Sequence, residues 1–340
     1  MKVIVLGTGQ QGGIDSVIKN IEANASKEHS FTRYKTHAGE GKLKDLMLSI
    51  SGLFIVLFYS VFFKDVCFHL HMSYRGSFWR KYYYLKIAKF FSKKVIIHLH
   101  GSEFKKFYES QPSNVQDKIK YLITTCDYFI VLSNSWRDYI ESLFLGTELK
   151  NIIVIPNFAV VSPSPQVEKR PMEILFLGAL IERKGIFDLL KALKDMPGVI
   201  LNIGGGGDLE AFWQAVDKNE VRSQVQFHGW VDSEKKAMLM AQSQLLILPS
   251  YNEGLPVVIL EAMASCLPVI STPVGGIPEV IINEKTGFLV EPGNVEDIKL
   301  TVNKALQNYD LTQITASAKA LYDSEYDVSA IIPKIELIYA

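Results

Sequence analysis

The chain is short of cysteine: 340 residues contain only Cys67, Cys126 and Cys266. An odd, scattered set of thiols offers no disulfide framework and suits a reducing compartment. Net charge is missing too, since 36 Lys and Arg balance 36 Asp and Glu. With no basic tail, a nucleic-acid partner is not expected. No Asp-x-Asp pair occurs, so that way of holding a divalent metal is absent. The start, Met1-Lys-Val-Ile-Val-Leu-Gly7, runs straight into an apolar segment and has no signal-peptide organisation.

What is present is a long, ordinary globular composition, 48% hydrophobic and 21% charged. Single cores stop growing near ~250–300 residues, so this length predicts two domains. Residues 46–63, LMLSISGLFIVLFYSVFF, reach the length that flags a transmembrane helix. Three serines and Gly52 interrupt the run. A span here would also put residues 1–45 and the rest of one fold on opposite sides of a bilayer. We expect a helix packed on a sheet or dipping into a membrane surface.

Apolar runs bounded by turn residues predict parallel strands at 2–6, 31–35, 66–70, 95–99, 128–132 and 152–155. Residues 160–171 carry three prolines and no apolar period, which marks a linker. A second alternating set follows, with strands at 172–177, 199–203 and 245–249 and a helical tail from about 314, kinked at Pro333. Gly7-x-Gly9-x-x-Gly12 formally matches a dinucleotide-binding fingerprint. The second strand should then end in an acid for the ribose of NAD, but it runs into Thr36-His37-Ala38. His71 and His100 close the third and fourth strands, the end at which open α/β sheets bind ligands. Between them, Arg75-Gly-Ser-Phe-Trp-Arg-Lys-Tyr-Tyr-Tyr-Leu-Lys86 interleaves cations and aromatics, which suits an anionic membrane edge or a solvated helix face.

The chemistry concentrates in Glu253-Gly-Leu-Pro-Val-Val-Ile-Leu-Glu261. Pro256 fits the first turn of a helix over 256–265 whose one charge is Glu261. A carboxylate in so apolar a helix needs a partner or a ligand. Glu253 lies just before it, where Gly254 lets backbone approach a ligand and free N–H groups favour an anion. Dipole complementation and an internal cation are the structural alternatives.

Glu253-x7-Glu261, Pro268-Val-Ile-Ser-Thr-Pro-Val-Gly-Gly-Ile-Pro-Glu279 and Thr286-Gly-Phe-Leu-Val-Glu-Pro-Gly293 together resemble the GT-B retaining glycosyltransferases of family 4, of the bacterial surface-polysaccharide type. The resemblance implies two Rossmann-like α/β domains facing across a cleft. They would be an acceptor-binding domain over 1–160 and a nucleotide-sugar-binding domain over 161–320, with a helix over 321–340 crossing back. It implies a hexosyltransferase that needs no obligatory metal and uses a UDP- or GDP-linked sugar. In this family a Gly-Arg-x4-Lys-Gly pattern supplies two cations to the leaving diphosphate. Lys184 and Gly185 match, while Ala179 stands at the arginine position; Arg183 either takes over that charge or is a surface residue at a helix start. Glu253 would hold the donor sugar, Glu261 the ribose, and Gly254, Leu255 and Pro256 the diphosphate. Trp230 would flank the base. His100 would face donor and acceptor, and Gly12 and Gly13 would approach the diphosphate across the cleft. The implied acceptor is a glycan, lipid-linked in O-antigen or capsule assembly, at the cytoplasmic face of the membrane. An NAD-dependent oxidoreductase, a nucleotide-sugar epimerase and a non-catalytic nucleotide-binding module remain alternatives.

Overall fold

A computed structural model describes all residues except 11, 147, 162–164, 166 and 308–309, so part of the expected linker lies outside the described residues. The chain divides into two compact units, Met1–Phe158 with Val328–Ala340, and Ala159–Asp327. Residues 321–327 therefore stay with the second unit, and the returning segment begins at Val328.

The first unit runs β1 (Lys2–Gly7), α1 (Gly13–Asn24), β2 (Ser30–Lys35), α2 (Lys42–Phe62), β3 (Val66–Met72), α3 (Gly76–Phe90), β4 (Lys94–Leu99), α4 (Phe104–Glu109), α5 (Ser113–Thr125), β5 (Tyr128–Val131), α6 (Asn134–Ser142) and β6 (Ile152–Val154). The second runs β7 (Glu173–Leu177), α7 (Ile186–Lys194), β8 (Ile200–Gly204), α8 (Leu209–Lys218), β9 (Val225–Phe227), α9 (Ser233–Gln242), β10 (Leu245–Leu248), α10 (Val257–Ala264), β11 (Val269–Ser271), α11 (Ile277–Val280), β12 (Phe288–Leu289), α12 (Val295–Gln307) and α13 (Thr312–Glu325). The last helix, α14 (Val328–Tyr339), returns to the first unit and continues through Pro333.

Each unit is one parallel sheet of six strands, ordered β2-β1-β3-β4-β5-β6 in the first and β12-β11-β10-β7-β8-β9 in the second. Central strands are covered on both faces and read as apolar runs; every residue of β3 is buried. At the edge, β2 (SFTRYK) alternates and stays half-exposed. In an open α/β sheet, ligands bind beyond the carboxyl ends of the strands, where the order reverses direction. Those points fall between β1 and β3 in the first unit and between β7 and β10 in the second.

Helix α2 buries only Gly52, Val56, Tyr59 and Ser60. Leu43, Leu46, Met47, Ile50, Phe54, Leu57, Phe58, Val61 and Phe62 stay exposed, which at this spacing is one continuous apolar face. The helix is long and apolar enough to cross a membrane by length and composition. It nevertheless joins β2 to β3, which both pair with β1. A span would tear that sheet apart, so α2 lies on the unit as a surface helix.

Candidate functional site

In the second unit, β7 leads through Gly178 into a 3-10 turn, Glu182–Lys184. Gly185 follows with φ 71°, and a Cβ there would stand 2.0 Å from the Pro249 carbonyl oxygen. Glycine thus does two things: it takes the left-handed turn and lets the loop after β7 touch the loop after β10. Lys184 Nζ consequently reaches Glu253 Oε1 at 2.5 Å. Ser250 Oγ donates to the same oxygen at 2.7 Å. Arg183 Nη1 donates to the Asn252 carbonyl at 2.7 Å and lies 3.9 Å from Glu253 Oε2.

Behind the carboxylate, Gly275 (φ 58°) brings its Cα so close that a Cβ would stand 2.0 Å from the Glu253 carbonyl oxygen. The Gly276 N–H donates to the Gly254 carbonyl at 2.6 Å. Glu253, Gly254, Leu255 and Pro256 are all buried. Pro256 is the N-cap of α10, one residue before its first turn, and no side chain caps this helix start. Its N–H groups are therefore available to an anion.

The second carboxylate has a different role in the fold. Glu261 Oε1 accepts from Lys236 Nζ of α9. Burial pushes the Glu261 carboxyl up, and Lys236 opposes that shift. The apolar helix thus hides its charge against a cation 25 residues earlier in the chain, and no pattern around Glu261 announces that partner.

Trp230, at the carboxyl end of β9, stands 60% exposed. The nearby glycine run is explained by backbone crossing, since a Cβ on Gly205 (φ 151°) would lie 1.9 Å from the Gly178 carbonyl oxygen.

In the first unit the glycines of the opening loop separate by task. A Cβ on Gly7 would meet Ile18 Cδ1 at 2.5 Å and one on Gly9 would meet Lys35 Cδ at 2.8 Å, so both serve packing. Gly12 and Gly13 face open space. At the end of β2, Thr36 Oγ1 donates to the Gly7 carbonyl at 3.0 Å, in the place where an NAD site would put its acid.

His100 follows β4 and exchanges a hydrogen bond of 2.8 Å between its Nε2 and His71 Nδ1. Parallel register stacks His71 beside His98, with ring centroids 5.1 Å apart. His69 completes the group and hydrogen-bonds Tyr339 Oη of α14 at 2.8 Å. Ligand nitrogens of His69, His71 and His98 lie within 4.8 Å of one another. Their ring planes are inclined by only 6° for His69 and His98, 26° for His69 and His71 and 32° for His71 and His98. In-plane lone pairs of stacked rings run side by side and do not meet at one ion. Burial pulls His69 and His100 down to about 3, and His71 and His98 well below their ordinary range, so the group is neutral at pH 7.

Sequence reasoning missed Ser250 and Lys236. The first was visible only as part of Pro249-Ser250, the second not at all.

Comparison with known proteins adds to this geometry. Residues 161–320 match the family described as glycosyl transferases group 1. An uncharacterized glycosyltransferase of Methanocaldococcus jannaschii is 28% identical over 244 residues, 66% of this chain and 62% of that protein. The chain therefore spans less than two thirds of that relative's length. An uncharacterized 41.2 kDa protein in the cps region of Klebsiella pneumoniae is 26% identical over 331 residues, 89% of this chain and 88% of that one. Among solved structures, Anabaena HepE in complex with UDP and glucose superposes with a TM-score of 0.77 at 17% identity, covering 99% of this chain and 98% of that one. Through its second unit the chain is similar to the glycosyl transferases group 1 family over just under half of its length, and it has the two-domain α/β GT-B fold.

Proposed function

We propose that this protein is a retaining hexosyltransferase that moves a sugar from a UDP- or GDP-linked donor to a hydroxyl of a lipid-linked glycan in bacterial surface-polysaccharide assembly. The observation that carries it is the Lys184–Glu253 pair at the switch point between β7 and β10, with Arg183 beside it and the uncapped start of α10 behind it. Breaking the glycosyl–phosphate bond leaves its electron pair on the β-phosphate and positive charge on the sugar ring. Lys184, Arg183 and the α10 N–H groups stabilise the first charge, by groups already in place before reaction. Glu253 holds donor-sugar hydroxyls with the oxygen capacity that Lys184 and Ser250 leave, and Glu261 takes the ribose in the same way. No side chain of the site stands out as a nucleophile, and we read Glu253 as a binding group. The acceptor oxygen therefore bonds to the anomeric carbon on the face the diphosphate leaves, and its proton passes to the β-phosphate. We assign the acceptor to the first unit, where His71 fixes His100 and Gly12 and Gly13 face open space. Trp230 offers its exposed ring to the base.

The cations needed belong to the protein, so transfer is expected to persist in a chelator. Two findings in relatives support the substrate classes: HepE binds UDP and glucose, and the Klebsiella relative lies in a cps region. The exposed apolar face of α2 supports a peripheral position on the cytoplasmic face of the membrane, with Tyr83 and Phe90 of α3 also exposed.

The test is thermal unfolding with UDP, GDP and NADH, followed by NMR of the transfer product. A nucleoside diphosphate at ~100 times its dissociation constant should add about 2.7 kcal/mol. Lys184→Ala should lose that shift and lower kcat by about 10²–10³. A shift with NADH alone, or a product of inverted anomeric configuration, sinks the reading. For the membrane, Phe54→Ser with Phe58→Ser should leave unfolding unchanged and reduce sedimentation with anionic vesicles severalfold; equal sedimentation removes α2 from the proposal.

A further inference from the structure

A cavity of about 430 Å³ opens in the first unit at the switch point between β1 and β3. Gly12, Gly13, Arg75, Gly76, Arg80 and Lys81 are among its walls. Two helices of 12 and 15 residues, α1 and α3, begin there, and neither has a side-chain cap. Lys81 is only 1% exposed. Its ammonium donates to Thr36 Oγ1 at 3.1 Å. A neutral hydroxyl does not balance a buried ammonium, and burial, reinforced by Arg80, lowers the Lys81 pKa well below the ordinary lysine range. Arg80 buries its Nε without a hydrogen-bond partner.

The acids nearby are already engaged. Asp15 pairs with Arg33 at 2.5 Å and Lys19 at 2.8 Å. Asp45 accepts from the Ala38 and Gly39 N–H groups at 2.8 and 3.0 Å and lies 3.0 Å from His37 Nδ1. The cavity is left with the Arg75 and Arg80 guanidinium groups, of which Arg80 is partly offset by Asp45, a buried Lys81 amine that an incoming anion would hold charged, and two helix N-termini around it.

We propose that this cavity binds a phosphate or diphosphate ester, and that this ester is the phosphate end of the lipid-linked acceptor. The assignment rests on the transferase reading above for the word acceptor, and on the cavity alone for the anion. Its size falls in the range of small-molecule sites. Continuity with α2 supplies the lipid: Asp45 ties the first turn of α2 to the cavity rim, and Leu43, Leu46 and Met47 open the exposed apolar face at the same end. The diphosphate sits against Lys81 and Arg80, and the tail runs along α2.

Titration calorimetry on the full chain tests this with inorganic pyrophosphate, farnesyl diphosphate and UDP as probes. Wild type is expected to bind farnesyl diphosphate, to release it to excess pyrophosphate and to bind UDP independently of both. Lys81→Met and Arg80→Gln should each weaken farnesyl diphosphate by about tenfold or more and leave UDP affinity unchanged. If Lys81→Met does not fold, Arg80→Gln and the exposed Arg75→Ser carry the test. Absence of both phosphate probes, or equal affinity in wild type and variants, overturns the site. Loss of UDP affinity in the same variants overturns the acceptor assignment, because the cavity then serves the donor. Equal affinity for pyrophosphate and farnesyl diphosphate overturns the lipid tail and supports a site for the free anion. If UDP fails to bind while farnesyl diphosphate binds, the transferase reading falls and the anion site stands.

Discussion

His69, His71 and His98 lie on two neighbouring strands and His100 just beyond the second; His69 hydrogen-bonds Tyr339 and His71 hydrogen-bonds His100. Both ring nitrogens of His98 are buried without a partner. In the unfolded chain each imidazole titrates near 6.5. Folded, His69 and His100 titrate only near 3, because burial disfavours the charged form. Below about 6.5 the unfolded chain therefore takes up protons that the folded chain refuses. The stability is complete above that pH and drains away as pH falls toward 3, by about 1.4 kcal/mol per pH unit for each histidine. Urea midpoints at pH 7.5, 6 and 5 should show this, and His98→Phe should flatten the dependence by one histidine's share. An unchanged slope would mean that His98 is charged in the native state. At this scale the sequence told where chemistry stood more readily than what each side chain touched. Lys184 was legible through its Lys-Gly match to the family pattern, and Glu253 through its place before Gly254 at the start of an apolar helix. Lys236 was not, since an ion pair between two helices leaves no local pattern. The histidine stack was half legible: strand ends were marked, but register across strands is a property of the sheet.

Elements were more legible than their limits. Apolar runs located the strands because central parallel strands are covered on both faces, yet β3 extends to Met72 and takes His71 into the strand. The tail divides at Tyr326 and Asp327 into two helices, one for each unit. Helix α2 is the instructive case. Hydropathy made it long and apolar, and only the β2-β1-β3 pairing shows that it lies along the unit. Gly52 in its middle looks like a weakness in a helix, where Ala gains about 1 kcal/mol. The packing reverses that sign. A Cβ at 52 would stand 2.2 Å from Tyr84 Oη and 2.6 Å from its ring carbon Cζ. Tyr84 cannot yield cheaply, because it is 1% exposed and its hydroxyl donates to the Ser49 carbonyl at 2.9 Å. Gly52→Ala should therefore destabilise by about 1–3 kcal/mol in urea. A stabilised variant would show that α2 and α3 slide freely past each other.

At the scale of the whole molecule, the two-domain plan followed from length and from the proline-rich stretch, but the ownership of the tail did not. Helix α14 contributes Ile331, Ile335, Ile338 and Tyr339 to the first unit's interior, and Glu336 accepts from the Ser26 N–H at 2.5 Å. At about 1.5–3 kcal/mol for each large side chain, that burial rivals the total stability of a domain, about 5–15 kcal/mol. Truncation after Asp327 should leave residues 1–158 open to limited proteolysis while Ala159–Asp327 still binds a nucleoside diphosphate. Protease resistance of 1–158 in the truncated chain would make α14 dispensable.

Chain order gives this arrangement a temporal side. A ribosome finishes Phe158 and must add another 169 residues before Val328 emerges. At about 5–20 residues per second, that interval lasts roughly 10–30 s. Until then His69 lacks Tyr339 as its hydrogen-bond partner, and the apolar seat of α14 stays uncovered. The second unit, continuous in sequence, can complete itself first, so the half of the protein made earliest is the half that matures last.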